Sequence, residues 1–284
     1  MLDFIKKFQK PFIIGCIVLL CLGSIVWWIY GLFYVSTDDA YVNANVIQIG
    51  SRVSGQVSEL NIVDNQYVKQ GDVLFTIDPA VYASIAERDQ AAIVAADAKQ
   101  TIEQVTADRV LALVRQHAAS KQDGDIAMAN LKSAIAEKAI ATATAAASQL
   151  NLQYTKVIAP ANGWVTNVTL RVGELVTANQ PLFALVSDKY FWIDANFRET
   201  NIHKVKIGAD ADIKVDMYPN HLFKGKVESI RSGSGNAFSL LPPENATGNW
   251  VKVTQRVPVR IRVLNLDPKF PLRIGTSATV TVHS

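Results

Sequence analysis

Apolar and polar positions divide the chain into regions of different period. Residues 12–35 contain no Asp, Glu, Lys or Arg, and beyond them the two kinds of residue mix as in an ordinary domain. As a helix, this run of about 24 residues rises about 36 Å, enough to cross a hydrocarbon layer of about 30 Å. Trp27, Trp28, Tyr30 and Tyr34 gather at its far end, and Lys6, Lys7 and Lys10 flank its near end. Aromatic rings favour the headgroup layer, and flanking cations stay on the cytoplasmic side. The expectation is a cytoplasmic tip at 1–11, an uncleaved transmembrane anchor at 12–35 and the bulk of the chain across the membrane. A cleaved signal would have a shorter apolar core and a small-residue cleavage site. A lipobox at Ile13-Ile14-Gly15-Cys16 would need its apolar run before the cysteine, whereas most of it follows.

Beyond residue 50 the apolar positions mostly alternate, the period of a half-buried strand. Residues 54–78 and 162–186 repeat one another at an offset of 108: Gly55 matches Gly163, Val57 matches Val165, Leu74 matches Leu182 and Phe75 matches Phe183. Each copy carries a central turn, at Asp64-Asn65-Gln66 and Val172-Gly173-Glu174. Each carries a later one, at Lys69-Gln70-Gly71 and Ala178-Asn179-Gln180. Asn and Gly tolerate the positive φ that tight turns need. Two such halves are expected to pack face to face as one small sandwich.

Between the copies the period changes. Residues 79–155 hold 22 alanines, one glycine and no proline after Pro79. Alanine is the best helix former, and both ends of the insert must return to one sandwich, so an antiparallel helical hairpin is predicted. Ser120-Lys121-Gln122-Asp123 reads as a capping box opening the second arm. That puts the reversal near residue 117, with arms of about 35 residues and about 50 Å. Asp123-Gly124-Asp125 is the second-ranked turn. From 188 onward, candidate strands at 190–197, 209–217, 223–230, 250–263 and 277–283 are punctuated by Gly and Pro and favour a small barrel. A Ser/Gly-rich stretch at 232–249 interrupts them.

Charge and chemistry narrow the function. The chain has 28 Lys+Arg against 25 Asp+Glu, and most of the excess sits in the first ten residues, so no basic face for nucleic acid is indicated. Cys16 and Cys21 both lie in the apolar run, which removes a disulfide framework and a cysteine-based zinc site. His117, His203, His221 and His283 are scattered without metal-ligand spacing, and no Walker-type phosphate loop occurs. No catalytic residue, cofactor or metal is predicted, and Asp38 and Asp39 read as a linker or strand start.

The order of anchor, half-sandwich, helical hairpin, half-sandwich and barrel resembles the periplasmic adaptor proteins, or membrane fusion proteins, of the HlyD/EmrA family. Residues 37–46 (TDDAYVNANV), 159–165 (APANGWV), 192–200 (WIDANFRET) followed by Ile207-Gly208, and 237–261 carry the likeness, which covers essentially the whole chain. The last stretch points to the EmrA branch, which serves major facilitator transporters in drug efflux. The hairpin is shorter than in that branch, and more like that of the AaeA aromatic-acid adaptors, which share the APxxGWVTN and QRVPVRI stretches.

The resemblance implies a mainly β fold with an α-helical, coiled-coil hairpin. Its parts are an N-terminal transmembrane helix, a membrane-proximal segment (36–45), a lipoyl-like (biotinyl-like) β-sandwich split into 46–78 and 156–187, the hairpin (79–155), and a β-barrel with membrane-proximal region (188–284). It implies a non-enzymatic adaptor in a Gram-negative inner membrane, with its bulk in the periplasm. There it would form a homo-oligomeric ring between an inner-membrane transporter and a TolC-like outer-membrane channel. Arg109, Leu113 and Ser120 have the spacing of the family's channel-docking tip. Phe238, Leu240 and Leu241 either pack under the barrel or touch the transporter. The lysine that carries a prosthetic group in true lipoyl domains is replaced by the hairpin. Three other readings stay open: an adaptor for an ABC-type or type I exporter, an anchored binding protein with a small ligand in the barrel, and an enzyme subunit bearing a prosthetic group on Lys.

Overall fold

Alternating apolar residues and an alanine-rich insert become strands and two long helices. The computed structural model describes residues 34–234 and 253–283. The expected anchor, but for its last two residues, and Phe238, Leu240 and Leu241 lie outside the described residues. No described helix is long and apolar enough to cross a membrane. In chain order the elements are β1 (Tyr34–Gly50), β2 (Gly55–Leu60), β3 (Tyr67–Val68), β4 (Val73–Ile77), α1 (Ala80–Arg115), α2 (Lys121–Gln153), β5 (Lys156–Ile158), β6 (Gly163–Thr166), β7 (Leu175–Val176), β8 (Pro181–Arg198), a 3-10 turn (Ile202–Lys204), β9 (Asp210–Val215), β10 (Phe223–Ile230), β11 (Arg256–Val263) and β12 (Ser277–His283). The chain divides into two units, one of residues 46–187 and one of the flanking residues.

In the first unit the repeat is a repeat of hydrogen bonds as well as of letters. One sheet runs β5-β4-β2-β7, and in the other β8 pairs with β6 and β6 with β3. The copies clasp one another through matching bonds. Asn65 donates its N–H to Val165 O at 3.0 Å, and Gly173 donates to Val57 O at 2.8 Å. Gly71 donates to Ala159 O at 2.9 Å, and Asn179 to Ser51 O at 2.7 Å. Ser54 Oγ accepts from the Ala178 N–H, as Asn162 Oδ1 accepts from the Gln70 N–H. All four turn residues are left-handed: Asn65 (φ 63), Gly173 (φ 91), Gly71 (φ 93) and Asn179 (φ 65). Each half therefore uses one Asn and one Gly, in exchanged positions, because these residues enter that region at least cost. Val57, Leu74, Phe75 and Ile77 of one copy pack with Val165, Phe183 and Leu185 of the other in a shared core.

The helical insert leaves this sandwich after β4. The carboxylate of Asp78 accepts the Ala80 N–H at 3.0 Å, and Pro79 itself occupies the N-cap. Small residues let the arms approach closely: Ala107, Ala127 and Ala134 are buried in the seam, with Leu131 between them. Lys99 with Glu137, and Lys138 with Asp97, tie the arms crosswise. These exposed pairs fix register more than they stabilise.

In the second unit the strand order is β1-β12-β9-β10-β11-β8, and β1 also pairs with β8, so the sheet closes into a barrel. Ala40 and Val42 of β1, Ile193 and Phe197 of β8, Ile213 of β9, Phe223 of β10, Ile261 of β11 and Val280 of β12 point inward and are essentially inaccessible. Two expected boundaries shift. β1 begins at Tyr34, so Tyr34 and Val35 of the apolar run pair with His283 and Val282 instead of ending a helix. β8 is one continuous strand across 187/188, where the two units divide; it is buried throughout Phe183–Ser187 and alternates from Tyr190 to Phe197. β11 begins only at Arg256, since residues 253–255 are irregular.

Asp212 of β9 links two neighbouring strands. It accepts a hydrogen bond from Lys224 Nζ at 2.6 Å, and its other oxygen lies 3.2 Å from His283 Nε2. The Lys224 hydrogen bond, helped by His283 and opposed by desolvation, holds its carboxyl below the usual carboxylate range. A carboxyl whose folded pKa is lowered contributes stability above its unfolded pKa and loses it as pH falls through the folded value. Asp212→Asn is therefore expected to lower the melting temperature at pH 7, with the gap to the parent closing below about pH 4.

Candidate docking site at the hairpin tip

The helical reversal is built from two capping devices. At the end of α1, Gln116 is the C-cap and His117 takes a left-handed conformation (φ 56). The Ala118 N–H reaches Leu113 O at 2.8 Å, and the His117 N–H reaches Val114 O at 3.0 Å. This bond pair is a Schellman motif, with His117 where glycine is usual. At the start of α2, Ser120 Oγ accepts the Asp123 N–H at 3.1 Å, and Asp123 Oδ2 accepts the Ser120 N–H at 3.1 Å, completing a capping box. Ser120 Oγ also donates to Asp123 Oδ2 at 2.7 Å, so the hydroxyl proton is used within the tip. The hydroxyl and backbone N–H of Ser120 hold the Asp123 carboxyl below its ordinary range. The second-ranked turn at 123–125 is not the reversal. Gly124 is buried in the first turn of α2, facing Val114 and Leu111.

His117→Gly removes a left-handed side chain without touching either cap. The expected result is a gain of about 1 kcal/mol in hairpin stability, read by urea unfolding.

Arg109 and Leu113 project from α1 one turn apart, about 40° around the axis. Both are exposed, Leu113 by 41%. The Arg109 side chain has no hydrogen-bond or ion-pair partner among the described residues, whereas its neighbour Asp108 is held by Gln104. The tip thus offers one uncommitted guanidinium and one apolar side chain beside a capped reversal. Ser120 lies on the other arm, and no hydrogen bond joins it to the other two. A longer feature, not anticipated from the sequence, leads toward the tip. Val94, Ile102 and Val105 are each more than half exposed and fall with Leu113 within an arc of about 100° on α1. This stripe lies roughly opposite the seam residue Ala107, so α1 is apolar on two faces.

The other singled-out residues have structural partners. Asp39 lies within β1, 3.2 Å from the Arg256 guanidinium, and accepts from Asn196 Nδ2 at 3.1 Å, which bears out a strand more than a linker. His221 stacks on Phe270 at 4.1 Å. No group of three His, Cys, Asp or Glu among the described residues could hold a metal.

These features can be compared with known proteins. A family model described as RND MFP, barrel-sandwich hybrid domain, matches residues 45–188, and an AAEA-like beta-barrel domain matches 190–283. The chain belongs to the membrane fusion proteins. Among curated members it is 35% identical to the probable multidrug resistance protein EmrK of Escherichia coli K12, over 92% of this chain and 80% of the relative. It is 35% identical to the fatty acid resistance protein FarA of Neisseria gonorrhoeae, over 87% and 75%. It is 30% identical to the multidrug resistance protein MdtN of Escherichia coli K12, over 98% and 96%. The EmrK alignment spans 314 positions, more than this chain's 284 residues, so the relative carries stretches that this chain lacks. Among solved structures, a membrane fusion protein from Streptococcus pneumoniae R6 superposes with a TM-score of 0.65 at 18% identity, covering 88% of this chain and 98% of that one. A MacA-MexA chimera carrying the Pseudomonas aeruginosa MexA α-hairpin gives 0.61 at 25% identity, covering 88% and 82%. This is a family of adaptors and not a known family of enzymes.

Proposed function

We propose that this protein is the periplasmic adaptor of a tripartite efflux pump. The apolar run that precedes β1 anchors it in the inner membrane beside a transporter of the major facilitator type, which exports drugs or aromatic acids. The hairpin tip docks to a TolC-like outer-membrane channel through Arg109, Leu113 and Ser120. The observation that carries the reading is the hairpin, whose two long arms both root in one sandwich and whose capped tip presents an unpartnered Arg and an exposed Leu. The relatives' names, multidrug and fatty acid resistance proteins, favour export over capture of a single ligand.

Copies of the chain form a ring around the conduit. The outward stripe Val94, Ile102, Val105 and Leu113 supports this, since an apolar helix face left in water is poorly satisfied and identical wedges close as rings. Arms of about 54 Å reach only part of the way, and the channel supplies the rest. Phe238, Leu240 and Leu241 either pack under the barrel or touch the transporter. No bond is made or broken; the protein joins and seals. Recovery of its partners by cross-linked co-purification from native membranes is the test.

A further inference from the structure

The two copies in the sandwich bring equivalent chain segments to a common margin. By the offset of 108, Gly50 at the end of β1 corresponds to Ile158 at the end of β5. Among the described residues β5 is an edge strand, paired with β4. Between these segments and the C-terminal end of α2 lies a hollow of about 580 Å³. Ile47, Ile49, Tyr154, Val157 and Ile158 are among the residues that line it. A volume in the range of roughly 300–1,000 Å³ suits a small organic molecule.

The charge around the hollow is one-sided. Arg52 and Lys156 line it, and no Asp or Glu does. Neither cation has an ion-pair partner among the described residues. By contrast, Arg88, Lys99 and Lys138 on the adjacent hairpin each meet a carboxylate. The Arg52 guanidinium lies 4.7 Å over the Tyr154 ring, which holds it at the hollow and leaves its planar fork of donors available. A smaller hollow of about 250 Å³ shares Arg52, with Gln48, Asn179 and Gln180 also in its lining.

Two unpaired cations beside aliphatic walls and an aromatic ring are complementary to one class of molecule. We propose that this hollow binds an amphipathic organic anion, a carboxylate or sulfonate on an aromatic or short alkyl body. The guanidinium takes the anion in its fork and Lys156 adds a point charge. The body lies against Ile47, Ile49, Val157 and Tyr154. Such a site goes beyond an adaptor's joining role, and its failure leaves that role untouched.

The test uses the full chain in lipid nanodiscs, with 2-naphthoate and its neutral isostere 2-naphthamide as probes in equilibrium dialysis against empty nanodiscs. The expected result is saturable binding of naphthoate, one per chain, roughly tenfold or more tighter than the amide, the effect of charge-assisted hydrogen bonds. In the double variant Arg52→Gln with Lys156→Gln, naphthoate binding falls to the level of the amide, amide binding is unchanged, and the melting temperature is retained because both side chains reach solvent. Equal binding of acid and amide, no saturable binding, or an unchanged naphthoate affinity in the variant overturns the proposal. So does a variant that alters only the sedimentation of the chain, since the margin is then covered by a second copy.

Discussion

Gly163→Ala yields no stable protein. A Cβ at this position would lie 2.0 Å from the Val186 carbonyl oxygen, 2.8 Å from its carbon and 3.1 Å from Ser187 Cα. All three are backbone atoms of the strand paired with β6, so no side-chain rotation relieves the clash. The strands must separate, and the core between Val165 and Leu185 opens with them. A loss beyond about 4 kcal/mol is expected, enough to abolish accumulation of the folded chain. The repeat supplies its own control. At Gly55 the added Cβ meets only the Ile77 side chain, at 2.6 Å. Gly55→Ala is expected to fold with a loss of about 1–3 kcal/mol, as in ordinary overpacking. Equal melting of the two variants, read by calorimetry, contradicts the argument.

Arg109→Asp combined with Leu113→Asp abolishes efflux without unfolding the hairpin. Neither side chain supports the seam: Arg109 has no partner among the described residues, and Leu113 is 41% exposed. The Schellman bond at the tip uses the Leu113 carbonyl, not its side chain, and the capping box uses only Ser120 and Asp123. Reversing the charge and wetting the apolar contact should lower affinity for an outer-membrane channel by a hundredfold or more, on the order of 3 kcal/mol, as for a central interface residue. Lys132→Asp, on the exposed face of α2, serves as the control and retains efflux. The readouts are whole-cell substrate accumulation and the melting temperature of the purified protein. A double variant with full efflux removes the tip from the mechanism.

Much of this architecture is legible in the sequence because it rests on local rules. The turns Asp64-Asn65-Gln66 and Val172-Gly173-Glu174 announce themselves through residues that tolerate positive φ. Ser120 and Asp123 announce a helix start by their spacing. The alanine-rich insert between two matching copies has few alternatives to a hairpin. What stays hidden depends on tertiary context. His117 adopts a left-handed conformation because the Schellman bonds hold it there, and histidine gives no such signal. β8 continues past residue 187 as one strand although its burial changes there, from a continuous buried run at Phe183–Ser187 to alternation from Tyr190. The hollow at Arg52 and Lys156 joins residues about a hundred positions apart and needs the pairing of the two copies to exist. The outward stripe on α1 is masked by the seam stripe, since two apolar faces on one helix cancel each other's periodicity.

The central claim is that this chain links a transporter to an outer-membrane channel through its hairpin tip. The most direct measurement is mild-detergent, cross-linked co-purification from native membranes, with mass spectrometry of the partners, run in parallel on Arg109→Asp. The account predicts a major-facilitator transporter and a TolC-like channel with the parent chain, and loss of the channel alone with the variant. Recovery of neither partner under conditions that preserve a known pump would contradict it.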